Sequence, residues 1–213
     1  MSYQCAKCAQ GCNDGDLSKA RPDCPSRKRE EQEKIAELYK QEENLRIAHN
    51  AALVEKEGYC KRTRIQEIMD FCDKMGYHKV GLLFCTGLKR EALEVTKIFE
   101  HHGLEVVSVV CKNGIHPKSM IGLSDDQTIR GCSEEVMCNP IGQAMLMNEE
   151  KTDFNVMLGL CVGHDTLALK YLEAPVTILA VKDRVTGHNP LAPVYLAQSY
   201  YQKKLYEEGY HYG

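Results

Sequence analysis

The segment Lys79-Val80-Gly81-Leu82-Leu83-Phe84-Cys85 decides the fold. It is short and almost continuously apolar, the pattern of a strand buried on both faces. Leu88 to His102 follows as a helix with Leu88, Ala92, Val95 and Phe99 turned inward, and Gly103 closes it. Leu104 to Cys111 is the next strand, carrying Val106, Val107, Val109 and Val110. The alternation then repeats: a helix from about Pro140 to Glu150, a strand Phe154 to Cys161, a helix from about Asp165 to Glu173 and a strand Val176 to Val181. Apolar strands alternating with helices predict an α/β fold, an open parallel, doubly wound, Rossmann-like sheet of about four strands with helices on both faces. Right-handed crossovers suggest the strand order 2-1-3-4.

Outward from that core, Lys61 to Met75 reads as a helix. Ile65, Ile68, Met69, Cys72 and Met75 share one face, and Gly76 ends it. Lys28 to Glu57 is rich in Glu, Lys, Gln, Ala and Leu without Pro or Gly, which predicts one long helix. A last helix is expected from Pro193 to Glu208, ahead of a tail rich in Tyr and His. The domain reading is a cysteine-rich metal-binding module over 1–27, a helical extension packing on the core over 28–76, and the α/β domain over 77–213. Lys112 to Asn139 has several glycines and no period, and loops of that length inside a domain tend to be functional or mobile.

A net charge of −3 offers no basic face for nucleic acid. No apolar run approaches the roughly 18 residues needed to span a bilayer. The start Met1-Ser2-Tyr3-Gln4-Cys5 lacks the regions of a signal peptide, so a cytoplasmic location is expected. In that reducing setting, eleven cysteines point to metal ligation or thiol chemistry rather than to a disulfide framework.

Two cysteine constellations carry the chemistry. Cys5-x2-Cys8-x3-Cys12-x11-Cys24-Pro25 places four thiols in a segment too poor in large apolar side chains to build its own core. Four sulfurs suit a tetrahedral Zn site or an Fe–S cluster, and the terminal Cys-Pro tilts the choice toward iron. The plain alternative is a disordered tail with reactive thiols. The second constellation follows from the strands. Cys85, Cys111 and Cys161 end three of them, at the carboxyl edge where open parallel sheets bind ligands, and Cys138 could join from the long loop. Such cysteines suit an iron–sulfur centre, of the [4Fe–4S] type, or are simply buried core residues. Gly163-His164-Asp165 sits where a strand turns into a helix, so free amides and His164 are expected to face the crevice. Lys182-Asp183-Arg184 and Gly187-His188-Asn189-Pro190 follow the last strand, and Lys112 abuts Cys111. His164, Asp183, Arg184 and His188 are the candidates for positioning a small anionic ligand or moving protons. No Walker loop, dinucleotide fingerprint, zincin or nucleophile-elbow motif occurs.

These blocks are similar to a prokaryotic family found in anaerobic bacteria and archaea, classed as a domain of unknown function and described as predicted metal-binding proteins. The stretches that carry the resemblance are Asp23-Cys24-Pro25, Phe84-Cys85-Thr86-Gly87-Leu88, Val110-Cys111-Lys112, Met137-Cys138-Asn139-Pro140-Ile141, Gly159-Leu160-Cys161-Val162-Gly163-His164-Asp165, and Val181-Lys182-Asp183-Arg184 running on to Gly187-His188-Asn189-Pro190. Where that family has a double cysteine, this chain has Val110-Cys111. The resemblance implies metal binding and names no reaction. The expected function is an Fe–S protein with two centres and redox or sulfur-transfer chemistry, working with a small-molecule ligand and a redox partner protein. A zinc-stabilised sensor or metal-handling protein and a thiol-redox protein are the alternatives.

Overall fold

The computed structural model describes residues 3–9, 12–13 and 15–206. The chain divides into two compact units, 1–61 and 62–213.

In the first unit, two short 3-10 turns, Cys5–Lys7 and Pro25–Arg27, flank an irregular segment. Hydrogen bonds hold that segment where apolar burial is scarce. The Arg27 guanidinium donates to the carbonyls of Leu17 (2.8 Å), Ala20 (3.0 Å) and Arg21 (3.2 Å). Helices α1 (Arg29–Leu38) and α2 (Glu42–Gly58) follow. The single long helix expected over 28–57 is thus broken. Asn44 Nδ2 donates to the Leu38 carbonyl at 2.9 Å and to Gln41 Oε1 at 3.1 Å, and Gln41 is extended at the start of α2. A local side-chain bond has captured a carbonyl the helix would otherwise have used.

The second unit opens with α3 (Arg64–Met75), which starts on a Thr63–Gln66 capping box and ends on left-handed Gly76. The sheet is built from β1 (Lys79–Phe84), β2 (Glu105–Val110), β3 (Phe154–Leu160) and β4 (Val176–Val181). All pairs are parallel, in the expected order β2-β1-β3-β4. Between the strands run α4 (Lys89–His101), α5 (Pro140–Glu149) and α6 (His164–Tyr171).

Alternation along the strands sorts the core into two layers. Val80, Leu82, Phe84, Phe154, Val156 and Leu158 pack with Ile68 and Cys72 of α3 and with Ala92, Val95 and Phe99 of α4. Leu83, Met157 and Leu160 pack on the other face with Met147 of α5 and Ala168 of α6, and Cys85 and Cys111 belong to that layer. Each fully buried aliphatic or aromatic side chain stabilises the fold by about 1.5–3 kcal/mol. Leu158 and Leu160 both find the interior, on opposite faces, because β3 carries a register shift between them. Gly159 makes the shift with φ +65°.

The carboxyl-terminal helix is two short ones, α7 (Ala192–Tyr195) and α8 (Gln202–Tyr206), not one. Ser199 Oγ donates to the Leu196 carbonyl at 3.2 Å, and the Tyr201 amide donates there too, which closes a turn in place of the helix. The expected end at Glu208 and the Tyr/His tail from 207 on lie outside the described residues. Among the described residues, no helix is long and apolar enough to cross a membrane.

At the amino end of the sheet the Asp153 carboxylate accepts the His78 and Lys79 amides, both at 2.8 Å. The Lys79 amide, chiefly, holds this carboxyl below its ordinary value. A carboxyl with a depressed folded-state pKa stabilises the fold above its unfolded value of about 3.9 and loses that contribution as pH falls through the folded pKa. Asp153→Asn is therefore expected to flatten the acid limb of stability against pH. Urea midpoints from pH 6 downward check it, and an unchanged limb would assign acid sensitivity elsewhere.

Candidate functional site

Cys111, Cys85 and Cys161 each stand one residue beyond the strands β2, β1 and β3, which are neighbours in that order. The ladder continues under them: the Cys85 amide donates to the Leu158 carbonyl (3.1 Å) and the Cys111 amide to that of Phe84 (2.9 Å). Three thiols therefore line one edge of the sheet. Lys182 occupies the equivalent position after β4, its amide on the Leu160 carbonyl at 3.0 Å.

Cys138 reaches this edge through a clamp. The loop after β2 turns back on an isolated antiparallel bridge, Pro117 to Val136. Glu135 pairs with Lys118 at 3.2 Å and with Lys112 at 3.7 Å, and Lys112 also donates to the Val136 carbonyl. At its base the Asn139 amide donates to the Cys111 carbonyl at 2.6 Å. Asn139 Nδ2 donates to Asn113 Oδ1 (3.0 Å), while Asn113 Nδ2 donates to the carbonyls of Asn139 and Val110 (both 3.0 Å). Asn139 Oδ1 meanwhile caps α5 by accepting the Gly142 amide at 2.9 Å. The result is a separation of 3.8 Å between the sulfurs of Cys138 and Cys111. The Thr86 amide points at the Cys111 sulfur from 3.3 Å.

The thiols differ in character. Cys111 and Cys85 are buried, and Cys138 and Cys161 are half-buried. A hydrogen bond with Cys111, then burial, pushes the Cys85 thiol up to about 12. Cys138 is drawn down to about 7, chiefly by its hydrogen bond with Cys111, with Lys112 helping. Cys111, between the two, is raised, chiefly by its bond with Cys138. Of these three thiols, Cys138 is the one most readily ionised.

Cations surround the sulfurs. Arg184 donates to the Cys161 sulfur at 3.3 Å. A Cβ added to Gly87 would lie 3.6 Å from the Lys182 ammonium and 3.9 Å from the Cys85 sulfur, and one added to Gly159 would also lie 3.6 Å from that ammonium. The two glycines thus leave a notch for the half-buried Lys182, whose ammonium has no hydrogen-bond acceptor among the described residues. His164 opens α6, and burial lowers its pKa, so the ring is held neutral. The His164 and Asp165 amides turn back to the Cys161 carbonyl (3.0 and 3.1 Å), so these two are not free for a ligand. Asp183 and His188 close a turn. The Asp183 carboxylate accepts the amides of Val185 (2.9 Å) and Thr186 (3.0 Å), and its own amide donates to His188 Nδ1 at 3.1 Å. His188 sits at φ +68° to do so.

In the first unit, Cys5, Cys8, Cys12 and Cys24 line one cavity of about 50 Å³, together with Gln4, Ala20, Arg21 and Asp23. The Asp23 carboxylate is engaged by Arg21 at 2.9 Å. None of the cysteines is in a disulfide. Among the described residues, no three His, Cys, Asp or Glu side chains converge on a point that could hold a metal ion.

The family described as "protein of unknown function (DUF1847)" matches residues 24–179. The chain belongs to the DUF1847 family. The match takes in Cys24 and all four cysteines of the sheet edge. An uncharacterized protein of Methanocaldococcus jannaschii, MJ0455, is 45% identical over 205 residues, covering 94% of this chain and 98% of that protein.

Lys182, expected just after the last strand, stands near Cys85 once β4 is in place. One other participant in this DUF1847 edge carries only a weak signal in sequence. Gln143, fully buried on α5, donates through Nε2 to the strand-end carbonyls of Phe84 (3.2 Å) and Val109 (2.7 Å). Its Oε1 is buried without a partner. A Gln in an otherwise apolar helical stretch was the one available hint.

Proposed function

We propose that the protein binds metal through thiolates, as an iron–sulfur protein with one centre on Cys85, Cys111, Cys138 and Cys161 and another on Cys5, Cys8, Cys12 and Cys24. The observation that carries this reading is the run of cysteines directly after three neighbouring strands, with Cys138 clamped against them. The donor set fits the group in kind. Thiolates about 2.3 Å from a tetrahedral metal stand about 3.8 Å from one another, which is the Cys111–Cys138 separation.

An iron–sulfur centre supplies one-electron redox chemistry when bound. The remaining roles belong to the chain. Lys182 and Arg184 balance thiolate charge and attract a small anionic ligand, the class of substrate on which reductive or sulfur-transfer chemistry would act. His164, neutral at the mouth of α6, is placed to accept a proton. Asp183 and His188 hold the turn that presents Arg184. The N-terminal centre organises its own segment, and zinc would serve there equally well.

Anaerobic purification should yield a brown protein with visible sulfur-to-iron charge-transfer absorption and with iron and acid-labile sulfide in stoichiometric amounts. Cys85→Ser and Cys161→Ser should each remove one centre and spare the other. A colourless protein holding only zinc would overturn the iron reading. Unchanged metal content in both variants would overturn the centre at the sheet edge.

A further inference from the structure

The geometry points to a second activity at the same edge: Cys138 and Cys111 form a directional dithiol that reduces a low-molecular-weight disulfide. It concerns the same sulfurs as the proposed metal centre but does not rest on metal being bound. Three observations carry it. The two sulfurs already stand 3.8 Å apart, about 1.8 Å from bonding distance. The clamp that sets this spacing runs through both backbones, since the Asn139 amide is bonded to the Cys111 carbonyl. The partners also differ in access: Cys138 is half-buried at the start of α5, whereas Cys111 is only 1% exposed.

Access sets the order of events, because exchange requires the attacking sulfur to reach the disulfide in line. The Cys138 sulfur attacks the disulfide R–S–S–R, forming Cys138–S–S–R and expelling R–S⁻, which takes up the proton Cys138 gives. The Cys111 sulfur then attacks Cys138, forming the Cys111–Cys138 bond and expelling the second R–S⁻, protonated in turn. Two thiols of the protein are oxidised and one external disulfide is reduced to two thiols, so atoms and electrons balance. Cys85, also buried and hydrogen-bonded with Cys111, is not needed for either step.

The test uses the full chain, purified under argon, treated with a chelator or left untreated, and exposed to excess oxidised glutathione. Remaining thiols are then alkylated and the digest mapped by mass spectrometry. In the chelator-treated protein, a cross-linked peptide joining Cys111 to Cys138 is expected. Cys111→Ser should trap one glutathione on Cys138, whereas in Cys138→Ser the modification of Cys111 should slow by about tenfold or more. Cys132→Ser, which removes an exposed thiol of the long loop, should still form the bond. Absence of the Cys111–Cys138 peptide after chelation, or undiminished reaction of Cys111 in Cys138→Ser, would overturn the proposal. The untreated arm separates this from the metal reading. Bound metal should protect the pair, and an equal rate with and without chelator counts against metal at this edge while leaving the dithiol intact.

Discussion

Gly159→Ala is expected to lower the unfolding free energy by about 2–5 kcal/mol. Two costs add. A non-glycine residue in the left-handed region, where Gly159 sits at φ +65°, costs about 1–2 kcal/mol. The new Cβ would also fall well inside van der Waals contact of Leu88 Cδ1. Leu88 is 5% exposed and wedged in the first core layer, so it cannot swing away freely. Overpacking of that kind costs about 1–3 kcal/mol. Urea denaturation followed by circular dichroism measures the sum. Leu88→Ala in the same chain separates the parts: the double variant should be more stable than the two single losses added together, because the clash is gone and only the backbone cost remains. Strict additivity would show that the steric component is absent.

Gly142→Ala is the second large effect, about 2–4 kcal/mol, with a consequence for chemistry as well. Its Cβ would collide with Asn113 Oδ1 and Asn139 Nδ2, the pair that closes the base of the long loop. Displacing Asn139 removes the α5 cap, worth about 1 kcal/mol. It also strands the amide groups of a half-buried pair, which costs about 1–3 kcal/mol more. Because the same asparagine adjoins Cys138, the 3.8 Å approach of the two sulfurs should be lost with it. The variant is therefore expected to show both a lower urea midpoint and a marked fall in Cys111–Cys138 cross-linking under mild oxidation. A fall in stability with cross-linking unchanged would mean that Cys138 is positioned by something other than the clamp.

Much of this architecture was legible in the sequence because the deciding signal is local and repeated. Val80 to Phe84 and its three counterparts are apolar runs bounded by helical periods, and a parallel sheet is the packing that buries such runs on both faces. The strand-end position of Cys85, Cys111 and Cys161 follows from those bounds. What escaped the reading depends on contacts between distant residues. Nothing around Asn113 and Asn139 announces that they bond to each other across the loop. Lys182 is legible as a cation after the last strand, but the notch that receives it exists only because β3 and β1 bring Gly159 and Gly87 beside it. The break between α1 and α2 was hidden for a different reason: helix propensity sums over a window, and a single side chain, Asn44, outweighs it by taking one carbonyl. The roles foreseen for Asp183 and His188 are recast by a similarly local matter, since their polar atoms are engaged in a turn of their own.

The clamp at the base of the long loop also separates two design problems. Everything between Asn113 and Asn139 hangs from a closed ring of hydrogen bonds, with a second fastening at the Pro117–Val136 bridge. Residues at the tip, such as Ile121 and Ile129, can be lengthened, shortened or exchanged at little more than the cost of loop closure, which rises only about 0.6 kcal/mol for each doubling of length. The sulfurs beneath would not feel it. A protein built this way can have the loop remodelled toward a new ligand while the cysteine edge keeps its spacing.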